Sequence, residues 1–349
     1  MSGDDVLLRR SGKAGRITLN RPAALNALSP EMSRRIEEAL AQWARDPQVR
    51  IVLIDAAGEK AFCAGGDIAD IHARAVAGDL TFARSFWRQE YRMNLMIARY
   101  GKPVISLLQG FTMGGGVGLG CHAAHRIVCE SSRIAMPECA IGLVPDVGGS
   151  RLLGCAPGEC GAYLGLTGAR MGPADAIHAG FADMFIPAER WGDLVAQLER
   201  DGDADALRAH AADAGPAPLA EKRDVIDRTF GGTDIAAIRG ALHGMGMDDP
   251  FAEEALAGLS RASPLSAAVA LALVRRSGAA PGLVQALELE FRATYRLLET
   301  GDFVEGIRAM IIDKDRKPNW RHADAAQVSG EEVASYLAPL GPEGLELPE

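Results

Sequence analysis

Pro103-Val104-Ile105-Ser106-Leu107-Leu108-Gln109-Gly110-Phe111-Thr112-Met113-Gly114-Gly115-Gly116-Val117-Gly118-Leu119 joins a short aliphatic run to a glycine turn and a triple glycine. The run at 103–108 has the length and β-branched content of a buried strand, and the glycines punctuate its end. The triple glycine opens the segment 117–124, and Phe62-Cys63-Ala64-Gly65-Gly66-Asp67 is a second glycine turn behind a predicted strand. Working outward, strands are expected at 16–19, 49–54, 126–128 and 133–135, and helices at 30–44 and 81–100. Short β-branched runs alternating with helical periodicity define an α/β class with a layered β/α core.

Strand signals fade after about residue 200, and the text becomes helices separated by Gly, Pro and Ser, as at 265–276 and 283–299. The expected organisation is therefore a core over 1–200 and a helical C-terminal region over 201–349. Residues 201–218, rich in Ala, Asp, Gly and Pro, read as a linker or mobile boundary. No internal repeat of fixed period is present.

At 349 residues, core size is not limiting. A net charge of −9 and a pI near 5.4 argue against a nucleic-acid binder, which needs a Lys/Arg surface to neutralise phosphates. Any anionic ligand must be met locally. The six cysteines (Cys63, Cys121, Cys129, Cys139, Cys155, Cys160) show no CxxC pair and no disulfide spacing. They read as small apolar residues in a reducing compartment, with the cytoplasm as default. Met-Ser-Gly-Asp-Asp opens acidic, without a basic segment leading into an apolar one, and no apolar run is long enough to span a bilayer.

The chemistry concentrates in Met136-Pro137-Glu138-Cys139-Ala140-Ile141-Gly142-Leu143-Val144-Pro145-Asp146-Val147-Gly148-Gly149, which sets two carboxylates in an apolar, glycine-rich segment. Burying even a neutral polar group without a partner costs about 2–7 kcal/mol, and a charge costs more, so such acids need compensation. Catalysis is one reading. The structural alternative makes Glu138 a helix cap after a turn-forming or cis proline and Asp146 an Asx-turn residue.

Glycines at strand ends let backbone N–H groups approach a ligand closely, and at a helix N-terminus the dipole favours negative charge. Two such groups converging would form an oxyanion hole, the natural partner of acyl chemistry. Taken singly, the same glycines need only permit tight turns and close packing.

Glu90, in Trp87-Arg88-Gln89-Glu90-Tyr91-Arg92, is by itself expected to be a solvated helix charge paired with a nearby arginine. His122 and His125 are three apart and could share a helix face, but no third ligand accompanies them, so no metal site is assigned. GxSxG, HExxH, GxxxxGK[ST] and GxGxxG after the first strand are all missing from the sequence. Cys63 has no histidine whose context marks it as a base, and it reads as structural.

Together the stretches at 62–67, 110–119 and 136–149 resemble the enoyl-CoA hydratase/isomerase (crotonase) superfamily. Within it they are most similar to the branch that hydrolyses 3-hydroxyisobutyryl-CoA. Phe303-Val304-Glu305-Gly306-Ile307-Arg308-Ala309-Met310-Ile311-Ile312-Asp313-Lys314-Asp315, with Pro318 and Trp320, resembles that branch's C-terminal signature, so the likeness covers nearly the whole chain. It implies a crotonase-like spiral of ββα units with a helical C-terminal region.

The resemblance also implies an acyl-CoA thioester whose carbonyl meets the N–H groups of Gly66 and Gly115. Hydratases of the family use two glutamates; the first position is Gly118 here, and Glu138 keeps the second. The hydrolase branch instead implies Glu138 and Asp146 as catalytic, with Glu90, Gly115, Glu138 and Asp146 as substrate-binding residues. The loop Ala24-Leu25-Asn26-Ala27-Leu28 matches the family's CoA-binding loop, where backbone groups supply most contacts. Cys139 stands where the branch often has threonine, and Ser150-Arg151-Leu152 replaces a more aromatic continuation.

The expected activity is hydrolysis of a short β-hydroxyacyl-CoA, first 3-hydroxyisobutyryl-CoA, in valine degradation. Coenzyme A enters as part of the substrate, and no cofactor, metal, nucleic-acid or membrane partner is implied. Fold relatives form trimers or dimers of trimers, which leaves a homo-oligomer open. The competing readings are an enoyl-CoA hydratase/isomerase and an inactive acyl-CoA-binding protein.

Overall fold

A computed structural model describes residues 4–246 and 248–348. The Met1–Gly3 part of the acidic N-terminus lies outside them. Contacts group the chain into two compact units that interleave along the sequence. One comprises Met1–Gly66, Gln89–Ala135 and Arg170–Pro218; the other comprises Asp67–Arg88, Met136–Ala169 and Leu219–Glu349.

The first unit holds the strands. β1 (Val6–Ser11), β2 (Ala14–Leu19), β3 (Ile51–Ala56), β5 (Val104–Leu108), β7 (His125–Val128) and β9 (Met184–Phe185) form a six-stranded sheet in that order. β4 (Ala61–Cys63), β6 (Phe111–Met113) and β8 (Arg133–Ala135) form a three-stranded sheet. β1 and β2 make an antiparallel hairpin, Val6 opposite Leu19, and every other pairing is parallel. Each successive pair, β3/β4, β5/β6 and β7/β8, gives its first strand to the large sheet and its second to the small one. That regular winding is the crotonase-like spiral of ββα units.

Parallel pairing of β2 with β3 needs a long crossover, and helix α1 (Pro30–Arg45) supplies it. Ser29 caps α1 by accepting the Met32 N–H at 3.2 Å, and Pro30 sits in the first turn, where no N–H is required. Its buried face, Met32, Ile36, Ala39, Leu40 and Trp43, follows the helical period. Alternate residues Ile51 and Leu53 of β3, and Ile105 and Leu107 of β5, pack with Leu194 and Leu198 of the Trp191–Asp201 helix into one core. Strands buried on both faces explain why β3 and β5 read as continuous apolar runs.

Residues 201–218 are built into this unit. Leu207 is part of the same core, and the Ala212 N–H donates to the Phe185 carbonyl at 3.0 Å. The linker reading is corrected on that ground: Ala-rich composition conceals one apolar anchor and a bridge to the last strand. No strand lies beyond β9 among the described residues, so the C-terminal part is helical as read.

The second unit is helical. It contains α2 (Ala69–Val76), the first turns of α3 (Thr81–Ala98), α5 (Gly149–Cys155), α6 (Cys160–Thr167) and the helices Pro264–Ala279 and Leu283–Thr300, among others. Gly154 of α5 and Gly278 lie backbone to backbone: a Cβ on Gly154 would come within 2.5 Å of the Gly278 nitrogen. That crossing brings Ser150 and Ser277 within hydrogen-bonding distance at 2.8 Å. No single helix among the described residues is long and apolar enough to cross a membrane.

Candidate active site

In the first unit the glycine turn after β4 is pinned by the 24–28 loop. Ala64 N donates to Leu25 O at 3.0 Å and Leu28 N to Gly65 O at 2.9 Å. Leu25 and Asn26 both have positive φ, which Asn26 supports with its side chain. Its amide donates to Ala57 O and Ala61 O, and its carbonyl accepts from Arg21 N. The loop shape is thus set by one buried asparagine, and Gly66 is bridged to Leu28.

The triple glycine begins α4 (Gly115–Gly120), a wholly buried helix preceded by Gly114 at φ +49°. As the first helical residue, Gly115 has an N–H with no intrahelical acceptor. A Cβ on Gly115 would lie 3.4 Å from Gly66 N and 2.6 Å from Glu90 Oε1. The two expected oxyanion-hole glycines and Glu90 therefore converge within this unit. Gly118 is also buried on α4 and presents no carboxylate.

Glu90 is 3 % exposed, so the expectation of a solvated helix charge is corrected. α3 is amphipathic in register with the core, and Glu90 falls on its inner side. One turn further, Asn94 is fully buried with neither amide atom hydrogen-bonded, and the buried Thr112 hydroxyl likewise has no partner. Unsatisfied buried groups are costly in native structures and point to water or ligand contacts. Asn94 went unnoticed in the sequence; a polar residue four after an acid on one apolar helix face was its signal.

Cys63 is fully buried, with Sγ directed at Gly65 O at 3.5 Å. Burial, reinforced by the negative charge of Glu90, pushes its thiol up to about 12. A thiol so far from ionisation is inert, which fits the structural reading. His122 lies in the turn after α4 and His125 begins β7, so the two do not share a helix face. Among the described residues no group of three or more His, Cys, Asp or Glu is placed to hold a metal ion.

In the second unit Glu138 opens the short 3₁₀ turn Glu138–Ile141 behind Pro137, whose peptide is trans. Glu138 and Asp146 are each 5 % exposed. Glu138 Oε2 is buried with no hydrogen-bond partner. Burial first, then the negative charges of Asp146 and Glu290, hold the Glu138 carboxyl well above its ordinary range. An acid raised in this way keeps its proton above the ordinary carboxylate range, where it can take part in proton transfer.

Glu290 was not singled out in the sequence. It is fully buried on the Leu283–Thr300 helix and accepts from Gly148 N at 2.7 Å, Ser150 N at 3.1 Å and the Ser150 hydroxyl. Burial pushes it up to about 8, with Asp146 adding in the same direction and the donors opposing. The second unit thus holds three acids, Glu138, Asp146 and Glu290, in mutual electrostatic range. A cleft of about 750 Å³ in the first unit, with Arg16, Gln109 and Trp191 in its walls, contains none of these residues. Its one arginine is neutralised by Asp55 and Glu199.

The first unit thus brings two glycine backbones beside a buried glutamate, and the second holds three buried acids. The chain belongs to the enoyl-CoA hydratase/isomerase family, whose model matches residues 14–337. The 3-hydroxyisobutyryl-CoA hydrolase, mitochondrial, of Xenopus tropicalis is 40% identical over 98% of this chain and 91% of its own length. The human protein of the same name is 36% identical over 99% of this chain and 91% of its own length. Among solved structures, an enoyl-CoA hydratase from Rhodobacter sphaeroides is 57% identical, with a TM-score of 0.94 over 99% of this chain and 100% of that one. A carnitinyl-CoA dehydratase from Mycobacterium thermoresistibile is 42% identical, with a TM-score of 0.93 over 97% and 98%.

Proposed function

We propose that the chain is an acyl-CoA thioester hydrolase that converts a short β-hydroxyacyl-CoA, first 3-hydroxyisobutyryl-CoA, to the free acid and CoA. The observation that carries this reading is the pair Glu138 and Asp146, both buried and backed by Glu290, in a chain with Gly118 on α4. Hydration of a C=C bond in this family draws on a second carboxylate, and Gly118 has none. Hydrolysis needs an acid/base pair and a polarised carbonyl. The relatives named as hydrolases, alike over nearly their whole length, support the same side.

In this reading the N–H groups of Gly66 and Gly115 donate to the thioester oxygen and stabilise the charge that develops there. Glu138 either attacks the carbonyl carbon, releasing CoA thiolate and leaving a mixed anhydride for water to open, or takes the proton from the attacking water. Asp146 orients that water or protonates the departing thiolate. Glu90 accepts a hydrogen bond from the substrate's β-hydroxyl. Because a buried acceptor left without that hydroxyl is penalised, Glu90 would supply selectivity.

No cofactor enters, CoA being part of the substrate, and neither nucleic acid nor membrane is a partner. A reducing compartment, the cytoplasm, and valine degradation complete the reading; sedimentation decides whether the chain is a homo-oligomer. The second reading, an enoyl-CoA hydratase, is favoured by the name of the 57% identical structure. The test presents 3-hydroxyisobutyryl-CoA, 3-hydroxypropionyl-CoA and crotonyl-CoA, following free thiol and crotonyl absorbance in parallel. Thiol release from the hydroxyacyl thioesters supports hydrolysis. Loss of crotonyl absorbance without thiol replaces it with hydration, and neither signal, with CoA still bound, leaves an inactive acyl-CoA-binding protein.

A further inference from the structure

Both oxygens of Glu290 face donors. Oε2 takes the Gly148 N–H, while Oε1 takes the Ser150 N–H and hydroxyl, and Ser150 is in turn linked to Ser277 on the Pro264–Ala279 helix. These donors flank the turn that carries Asp146. The turn is tight, with Gly149 N on Asp146 O at 2.6 Å, and strained, because Val147 is a β-branched residue at φ +53° followed by Gly148 at φ +81°. Such a backbone persists only where its surroundings over-determine it. Glu290, 142 positions away in sequence from Gly148, supplies that determination. A neutral amide at 290 would set an N–H against one of the backbone N–H groups.

We propose that Glu290 is a positioning residue for thioester hydrolysis, clamping the 146–150 turn that presents Asp146 and placing a third acid beside Glu138. The proposal rests on the hydrolase reading above. Two acids, Asp146 and Glu138, interact with Glu290 electrostatically. Arg292 and Arg296 of its own helix donate to backbone carbonyls, Arg276 of the Pro264–Ala279 helix is exposed, and three further arginines are engaged elsewhere. Arg151 of α5 donates to Ser277 O and Ala280 O; Arg88 of α3 covers the Phe291 ring and donates to Glu343 O and Gly344 O; Arg308, beyond the helix, pairs with Glu305. With three donors, Glu290 holds a charge more readily than Glu138, one of whose oxygens has no partner. Glu138 therefore ionises against the charge of Glu290.

The experiment compares wild type, Glu290→Gln and Glu138→Gln on 3-hydroxyisobutyryl-CoA, with rates normalised to the folded fraction. Glu290→Gln should lower kcat roughly tenfold or more, as expected of a misplaced catalytic group, with KM little changed. It should also move the acid limb of kcat/KM to lower pH by about half a unit or more, since Glu138 then ionises without a neighbouring charge. A purely structural role would leave that limb in place. Glu290→Gln with wild-type kcat and an unmoved limb, beside an inactive Glu138→Gln, overturns the proposal alone. Wild-type turnover in Glu138→Gln overturns the hydrolase mechanism and the proposal with it. If Glu290→Gln does not fold, Ser150→Ala decides: it removes one donor, and a several-fold loss of kcat at constant KM is expected, while wild-type kinetics overturn the proposal.

Discussion

Replacing Gly115 by alanine is the sharpest single perturbation of the first unit's glycine pair. The new Cβ would lie 2.6 Å from Glu90 Oε1 and 3.4 Å from Gly66 N, against an ordinary contact range of 3.4–4 Å. Gly115 does not have a positive φ, so alanine brings no backbone strain. The closest atom ends a flexible side chain, so overpacking should cost at the low end of about 1–3 kcal/mol. Better helix propensity offsets up to about 1 kcal/mol of that. Stability should therefore fall by little, a shift of a few degrees in Tm for a chain of this size.

Catalysis should suffer far more. An oxygen accepting from Gly66 N–H must sit about 2.9 Å from that nitrogen, in the space the methyl invades. Losing an oxyanion donor is worth about 2.7–4 kcal/mol, or roughly 10²–10³ in kcat. Thiol release from 3-hydroxyisobutyryl-CoA, beside thermal unfolding, reads both quantities. Gly116→Ala is the comparator: its Cβ would meet the Cys63 carbonyl oxygen at 2.3 Å, a backbone atom that cannot yield, so Tm should drop more. Gly115→Ala with kcat/KM within about threefold of wild type would refute the assignment, because no oxyanion could occupy that space.

Three further outcomes follow from other groups. Glu90→Gln should erode discrimination between 3-hydroxyisobutyryl-CoA and isobutyryl-CoA by about tenfold or more, read as the ratio of their kcat/KM values. Glu290, raised in the fold to about 8 from 4.5, binds more protons folded than unfolded between those values, so it stabilises fully below 4.5 and that contribution is lost as pH rises through 8. Unfolding free energies from denaturant titrations across that window should fall with pH by on the order of 1 kcal/mol per unit from this group, and Glu290→Gln should flatten the slope. Iodoacetamide at neutral pH should label exposed Cys155 and spare both Cys63 and turnover, because Cys63 is buried with its thiol near 12.

Much of the first unit was legible in the sequence because its signals are local. β-branched runs bounded by Gly and Pro gave β3, β5, β7 and β8 within a residue or two, and Ser29-Pro30 marked the start of α1. Glycines after β4 and β6 announced close backbone approach, and the fold brings Gly66 and Gly115 together. Glu90 resisted because a lone acid beside arginines looks solvated until the helix is docked. Glu290 left only a faint trace: Leu287, Glu290, Thr294 and Leu297 follow the helical period, placing an acid on the buried stripe. Its partners lie on a turn far away in sequence, and no local pattern encodes that pairing. The interleaving of the two units is of the same kind, since segments 67–88 and 136–169 join the C-terminal helices through packing alone. A sequence boundary at 200/201 describes where strands end, which is a different property from which residues touch.

The central claim is that Glu138 performs the chemistry of thioester hydrolysis, and Glu138→Gln tests it most directly. The isosteric amide removes both the nucleophile and the base while keeping shape. Free-thiol release from 3-hydroxyisobutyryl-CoA should fall by about 10²–10⁴ or more, with CoA binding measured by calorimetry unchanged within a few-fold. Turnover at the wild-type rate in a folded Glu138→Gln protein would contradict the account.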